Sequence, residues 1–225
     1  MSLRNNWKTI SEYDGRAEFE NFPICYAKGK HQSNNSSNEN LATIAEYIRQ
    51  DKPRQVLECG TFEGRTTEYL ATLMGRHVPG KYKLLVTIDV EGCIKDITED
   101  SVTYQDDIDY EDVLAIRSHR LALLQRNPTV RVIYESGLTQ HLLLKLLKQI
   151  EFNFIYEDAC HLPNILIKDW EAISQYARPG CVVCFDDMAN NPFKDWLYEN
   201  AAKEWDIYYS DIERGQLWVE RKLFA

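Results

Sequence analysis

Apolar and polar positions fall into two alternating periods from residue 39 onward. Leu41, Ile44, Ala45 and Ile48 recur at the spacing of one helical face and predict a helix over Glu39–Gln50. Gln55–Glu58 then reads as a short strand, and Thr66–Met74 as a helix that stops before Gly75. Leu84–Asp89 and Val130–Tyr134 are further strands, and a leucine-rich helix covers Leu138–Gln149. After the strand Phe152–Glu157, the residues Leu166, Trp170, Ile173 and Ala177 mark one face of a helix. Cys181–Phe185 is a fifth apolar strand and Phe193–Ala202 another helix. Trp205–Ser210 and Gln216–Arg221 form a hairpin turning through Arg214-Gly215. Apolar strands separated by helices imply a parallel sheet covered on both faces. The expected fold is therefore α/β, Rossmann-like and doubly wound, with a mostly parallel seven-stranded sheet and a C-terminal antiparallel hairpin.

Two stretches break this rhythm. Residues 1–38 carry aromatics without a period and end in the polar run Gln32–Asn38, so they read as an N-terminal arm and loop preceding a domain over 39–225. Residues 91–128 exceed what a crossover needs. Seven of the fourteen residues Glu99–Asp112 are acidic, which suggests a solvated insertion or a substrate lid.

Composition narrows the function. The net charge of −9, from 35 acids against 26 bases, disfavours a nucleic-acid footprint. No apolar run is long enough to span a membrane, and residues 1–8 lack the core of a secretory signal, so a cytoplasmic protein is expected. Cys181 and Cys184 have metal-pair spacing but sit on a strand, where residues three apart face opposite ways. Reduced structural thiols are the better reading.

The first strand runs into Glu58-Cys59-Gly60-Thr61-Phe62-Glu63-Gly64. Gly60 allows a sharp turn and Gly64 a close approach of backbone to ligand, although an ordinary strand–turn–helix would also accept them. The spacing resembles the first motif of class I S-adenosylmethionine-dependent methyltransferases. That resemblance implies an S-adenosylmethionine cofactor, with Glu58 near its amino group and Asp89, 31 positions later, on its ribose hydroxyls. Thr61 and Asp158 are implied as further cofactor contacts, and Ser136 as the adenine edge unless it merely caps the following helix. A dinucleotide dehydrogenase fits poorly, because Glu58 and Glu63 occupy the first and third positions of its glycine fingerprint.

Strands four and five end in Glu157-Asp158-Ala159-Cys160-His161 and Phe185-Asp186-Asp187. Neighbouring parallel strands bring their carboxyl ends together, so Asp158, Asp186 and Asp187 are expected to converge. Carboxylates so close repel unless neutralised, and a hard divalent ion such as Mg²⁺ (or Mn²⁺) is the natural partner; capping and solvation of the strand ends is the plainer alternative. The pattern resembles the metal-dependent O-methyltransferases of the catechol and macrocin/cephalosporin-cluster types, with Cys160 in place of an acid found there. It covers roughly residues 40–190. His161 is a candidate general base for a hydroxyl, with a structural histidine as the alternative.

These features together imply a Mg-dependent O-methyltransferase acting on a small-molecule hydroxyl, such as a sugar or polyol. The pattern is compatible with a homo-oligomer. Two other classes stay open: a non-catalytic S-adenosylmethionine-binding module, and a hydroxylase-like enzyme on the same scaffold.

Overall fold

The structure, a computed structural model, describes residues 3, 7, 8, 38–90, 110–211 and 214–223. Its elements are α1 (Asn38–Asp51), β1 (Gln55–Cys59), α2 (Arg65–His77), β2 (Leu84–Asp89), α3 (Tyr110–Leu124), β3 (Arg131–Ser136) and α4 (Thr139–Leu147). They continue with β4 (Phe154–Glu157), α5 (Pro163–Tyr176), β5 (Val182–Phe185), α6 (Pro192–Ala201), β6 (Trp205–Ser210) and β7 (Gln216–Arg221). One seven-stranded sheet has the order β3-β2-β1-β4-β5-β7-β6. β7 is antiparallel to both its neighbours, and every other pair is parallel. This is the doubly wound fold with a closing hairpin that the periodicity implies.

The strand sequences explain the two-sided sheet. Alternate residues feed two cores. Leu57, Ile155, Val183 and Leu217 pack under α4, α5 and α6, while Val56, Phe154, Val182 and Trp218 pack under α1 and α2. Cys181 lies in the first core and Cys184 in the second, both as free thiols. The expectation that they face opposite ways holds.

Two sequence expectations change. The proposed insertion 91–128 contains the crossover helix α3. Its inward face carries the buried Arg117 and Arg120 between Val113 and Leu121, so guanidinium groups interrupt the apolar stripe that marks a helix. Ser136 caps no helix either. It ends β3 beside Asp89, and the residue at the head of α4 is Leu138. The polar run 32–37 and residues 91–109 lie outside the described residues. From the N-terminal arm, Leu3 is buried and Trp7 packs its ring on Tyr208 and Trp218. No helix among the described residues is long and apolar enough to cross a membrane.

The chain moves outward from β1 through β2 to β3, then returns to start β4 on the other side of β1. Crossovers therefore diverge between β1 and β4, which opens a crevice at their carboxyl ends. Gly60, Asp89, Asp158, Asp186 and Asp187 follow or close the carboxyl ends of β1, β2, β4 and β5 at that rim.

Candidate active site

At the end of β1 the backbone turns tightly between its two neighbours. Gly60 N donates to Ile88 O on β2 at 2.9 Å, and Asp158 N donates to Cys59 O at 2.9 Å. Gly60 has φ +96°, and a Cβ there would overlap the Asp158 carbonyl and come within 2.9 Å of Ala159 Cα. Only glycine lets the loop and the β4 exit touch in this way. The turn closes through Gly64 N donating to Thr61 O at 2.6 Å, with Phe62 also left-handed at φ 46°.

Glu58 and Thr61 lie under this loop. Thr61 is buried, with its hydroxyl 2.5 Å from that of Thr87. Glu58 is fully buried and its Oε2 accepts from Thr67 Oγ1 at 2.5 Å, while Oε1 has no hydrogen-bond partner. Burial raises the Glu58 pKa to about 8, despite the lowering effect of the threonine hydroxyls. Its burial and the bond to Thr67 place Glu58 beneath the loop, which it supports from below.

Asp89 sits at the rim of β2. Its Oδ2 accepts from Phe62 N at 2.5 Å and from Arg117 Nη2 at 3.0 Å, and its Oδ1 from Val90 N at 2.7 Å. Arg117 carries no signal in the sequence. Nothing in a sequence distinguishes one arginine on a helix that turns inward.

The acidic residues divide into two groups. Asp158 and Asp187 converge on His161, whose Nε2 lies 3.6 Å from an oxygen of each. Arg214, in the β6–β7 turn, pairs with Asp187 at 3.1 Å. Asp187 is a non-glycine residue at φ 57°, held where Met188 N and Ala189 N donate to Gly215 O and Arg214 O. Aspartate adopts this left-handed conformation more readily than most residues, and such positions cluster at active sites and ligand clamps. Asp186 lies deeper and is joined to Asp158 through Tyr156 OH, which is also 3.3 Å from Asp158 Oδ2. It is buried, accepts from Tyr156 OH at 2.7 Å, Asn40 Nδ2 at 2.6 Å and Gln216 Nε2 at 3.2 Å, and burial lifts its pKa to about 7.

This division is a correction to the expected metal centre. Asp186 has both oxygens engaged by α1, β4 and β7, and Asp187 already faces a guanidinium. Among the described residues, no group of three or more His, Cys, Asp or Glu side chains is placed to hold a metal. As arranged here the three aspartates do not form an open Mg²⁺ ligand set, because Asp186 is engaged by Asn40, by Gln216 and by the Tyr156 hydroxyl it shares with Asp158.

His161, Asp187, Arg214, Asn190 and Asn191 line a cavity of about 450 Å³, together with two prolines and an alanine. Asn191 links the parts. Its Nδ2 donates to His161 O at 2.7 Å, and its Oδ1 accepts from Phe193 N at 3.0 Å, capping α6. His161 caps no helix itself; Leu162 occupies that place before α5. Tyr156, Arg214 and Asn191 escaped the sequence reading. Only the Arg214-Gly215 turn signal touched one of them.

Residues 57–188 match the family described as a methyltransferase domain. The chain belongs to this family. No curated protein matches it. The methyltransferase domain is similar in fold to the S-adenosylhomocysteine-bound methyltransferase PaMTH1 of Podospora anserina, at 15% identity and a TM-score of 0.61 over 98% of this chain and 87% of that one. TomG of Streptomyces achromogenes, an O-methyltransferase of tomaymycin synthesis solved with S-adenosylmethionine, gives 16% and 0.58 over 99% and 100%. The O-methyltransferase of Bacillus cereus, in complex with S-adenosylhomocysteine, gives 19% and 0.58 over 84% of each chain. The rim that carries Gly60, Asp89 and Asp158 lies within the matched segment of the methyltransferase domain, whereas Arg214 lies beyond it.

Proposed function

We propose that the protein is an S-adenosylmethionine-dependent O-methyltransferase acting on a hydroxyl of a small polar molecule of the sugar or polyol kind. The observation that carries this is His161: it stands between two carboxylates, lines the cavity, and lies three residues beyond the backbone that Gly60 touches. The methyl-donor loop and a proton acceptor thus meet at one rim. The open turn at Gly64 and the carboxylate of Asp89 fit an S-adenosyl ligand, which when bound supplies an electrophilic methyl group on sulfur.

The protein's own groups supply the rest. With Nε2 turned to Asp158 and Asp187, Nδ1 of His161 would take the acceptor's hydroxyl proton as the methyl group passes from sulfur to that oxygen and S-adenosylhomocysteine leaves, and the two carboxylates would stabilise the imidazolium that forms. Arg214 and Asn190 offer hydrogen-bond donors to other oxygens of the acceptor. Among the described residues the lining is mostly polar, with His161, Asp187, Asn190, Asn191 and Arg214, and such groups suit an acceptor rich in hydroxyls. No step is assigned to a divalent ion.

The test has two parts. S-adenosylhomocysteine is expected to raise the melting temperature, and Asp89→Ala to weaken its binding by about 1–3 kcal/mol, the scale of hydrogen bonds to a charged group. With S-adenosylmethionine and a panel of polyols and sugars, release of S-adenosylhomocysteine is expected to persist in a chelator. His161→Gln is expected to slow it by about 10²–10⁴-fold with little change in cofactor affinity. Turnover that requires Mg²⁺ and is lost in Asp186→Asn would show that the aspartates regroup into a metal site.

A further inference from the structure

Arg117 has no part in the chemistry above, yet it is among the most deeply buried charges described. From α3 it donates to Phe62 O, to Val90 O at 3.1 Å, to Tyr134 OH at 3.0 Å and to Asp89 Oδ2 at 3.0 Å. Its guanidinium also lies 5.8 Å from the centre of the Tyr134 ring. These contacts tie the glycine loop, the end of β2 and the middle of β3 to one side chain.

The consequence lies in what Asp89 has left to offer. A carboxylate provides about four acceptor sites, two on each oxygen. On Oδ2 both are taken, by Phe62 N and Arg117, on Oδ1 one is taken by Val90 N, and the Thr61 N–H also points to the carboxyl. A ribose diol that grips a carboxylate with both hydroxyls needs one site on each oxygen. The Phe62 and Val90 N–H groups belong to backbone fixed by the turn and the sheet. The guanidinium alone reaches Asp89 from a side chain, and the nitrogen that does so, Nη2, is not the one that holds Val90 O and Tyr134 OH.

We propose that Arg117 is a latch on the ribose subsite: Asp89 receives both hydroxyls of an S-adenosyl ligand only when the guanidinium withdraws from Oδ2. This rests on the reading of Asp89 as the ribose acid. It makes cofactor affinity a balance between two claimants to the same oxygen. It also joins that affinity to α3, an element remote in sequence from the glycine loop.

Calorimetric titration with S-adenosylhomocysteine tests the latch in wild type, Arg117→Met and Asp89→Ala, with circular dichroism confirming that each is folded. Arg117→Met is expected to bind about tenfold more tightly, because one competing charged hydrogen bond is gone. A crystal structure of the wild-type complex is expected to show a ribose hydroxyl on Oδ2 and Arg117 Nη2 beyond hydrogen-bond reach, about 3.5 Å. Binding by Arg117→Met that is unchanged or weaker would overturn the proposal and make Arg117 a strut. So would a complex that keeps the 3.0 Å pair. Should Arg117→Met fail to fold, the wild-type complex decides alone. If Asp89→Ala binds as tightly as wild type, the ribose reading itself has failed and the latch falls with it.

Discussion

Gly60 and Gly64 share left-handed backbone, but a methyl group would meet very different surroundings at the two. At Gly60 it would strike the Asp158 carbonyl; at Gly64 the nearest atom is Arg120 Cβ at 3.7 Å. Gly60→Ala combines backbone strain with a clash against a neighbouring strand and is expected to cost about 3 kcal/mol and to abolish S-adenosylhomocysteine binding. Gly64→Ala carries the backbone cost alone, about 1 kcal/mol. Urea unfolding midpoints of the two variants check this, and equal losses would mean that the contact between the loop and the β4 exit is unimportant.

At the scale of elements, α6 and the His161 loop share Asn191. Asn191→Ala removes both the helix cap and the bond to His161 O, and is expected to lose about 2 kcal/mol of stability. Asn191→Asp keeps the cap acceptor but cannot donate to the carbonyl, so its smaller loss measures the link to the loop. Thermal unfolding of the pair gives both figures, and Asn191→Asp as unstable as Asn191→Ala would leave the cap without weight. What the sequence discloses at this scale follows the same physics. The strand Val182-Val183-Cys184-Phe185 is legible because a strand buried on both faces is apolar throughout. α3 was hidden because two of its inward positions are arginines. The acidic rim was legible as three aspartates at strand ends. Its division was not, because the partners that engage Asp186 include Asn40, 146 positions distant. Hydrogen bonds of that span leave no local pattern.

For the molecule as a whole, buried acids set the response to pH. Burial raises Glu58 to about 8 and both Asp169 and Asp186 to about 7, from ordinary values of 4.5 and 3.8. In the unfolded chain these groups have lost their protons by about pH 5, while the native protein still holds them. The native state then binds more protons than the unfolded one, so stability falls as pH rises from about 5 to about 8 and levels off beyond. The urea midpoint of the ligand-free protein is expected to be lower at pH 8 than at pH 5.5. Glu58→Gln, which mimics the protonated acid, is expected to narrow the gap. A midpoint that does not change between the two would mean that these carboxyls are ionised in the native protein.

The position of β7 bears on how the chain reaches this state. β7 follows β6 in sequence yet lies between it and β5, so β6 has no place in the sheet until β7 has arrived. The two strands pair over six residues across a short turn and can join first, then dock as a unit on the open side of β5. Until then Val182–Phe185, apolar on both faces, presents unpaired N–H and C=O groups to any extended segment nearby. A chain emerging during synthesis passes through this interval before the hairpin is complete, and its danger there is mispairing with another copy.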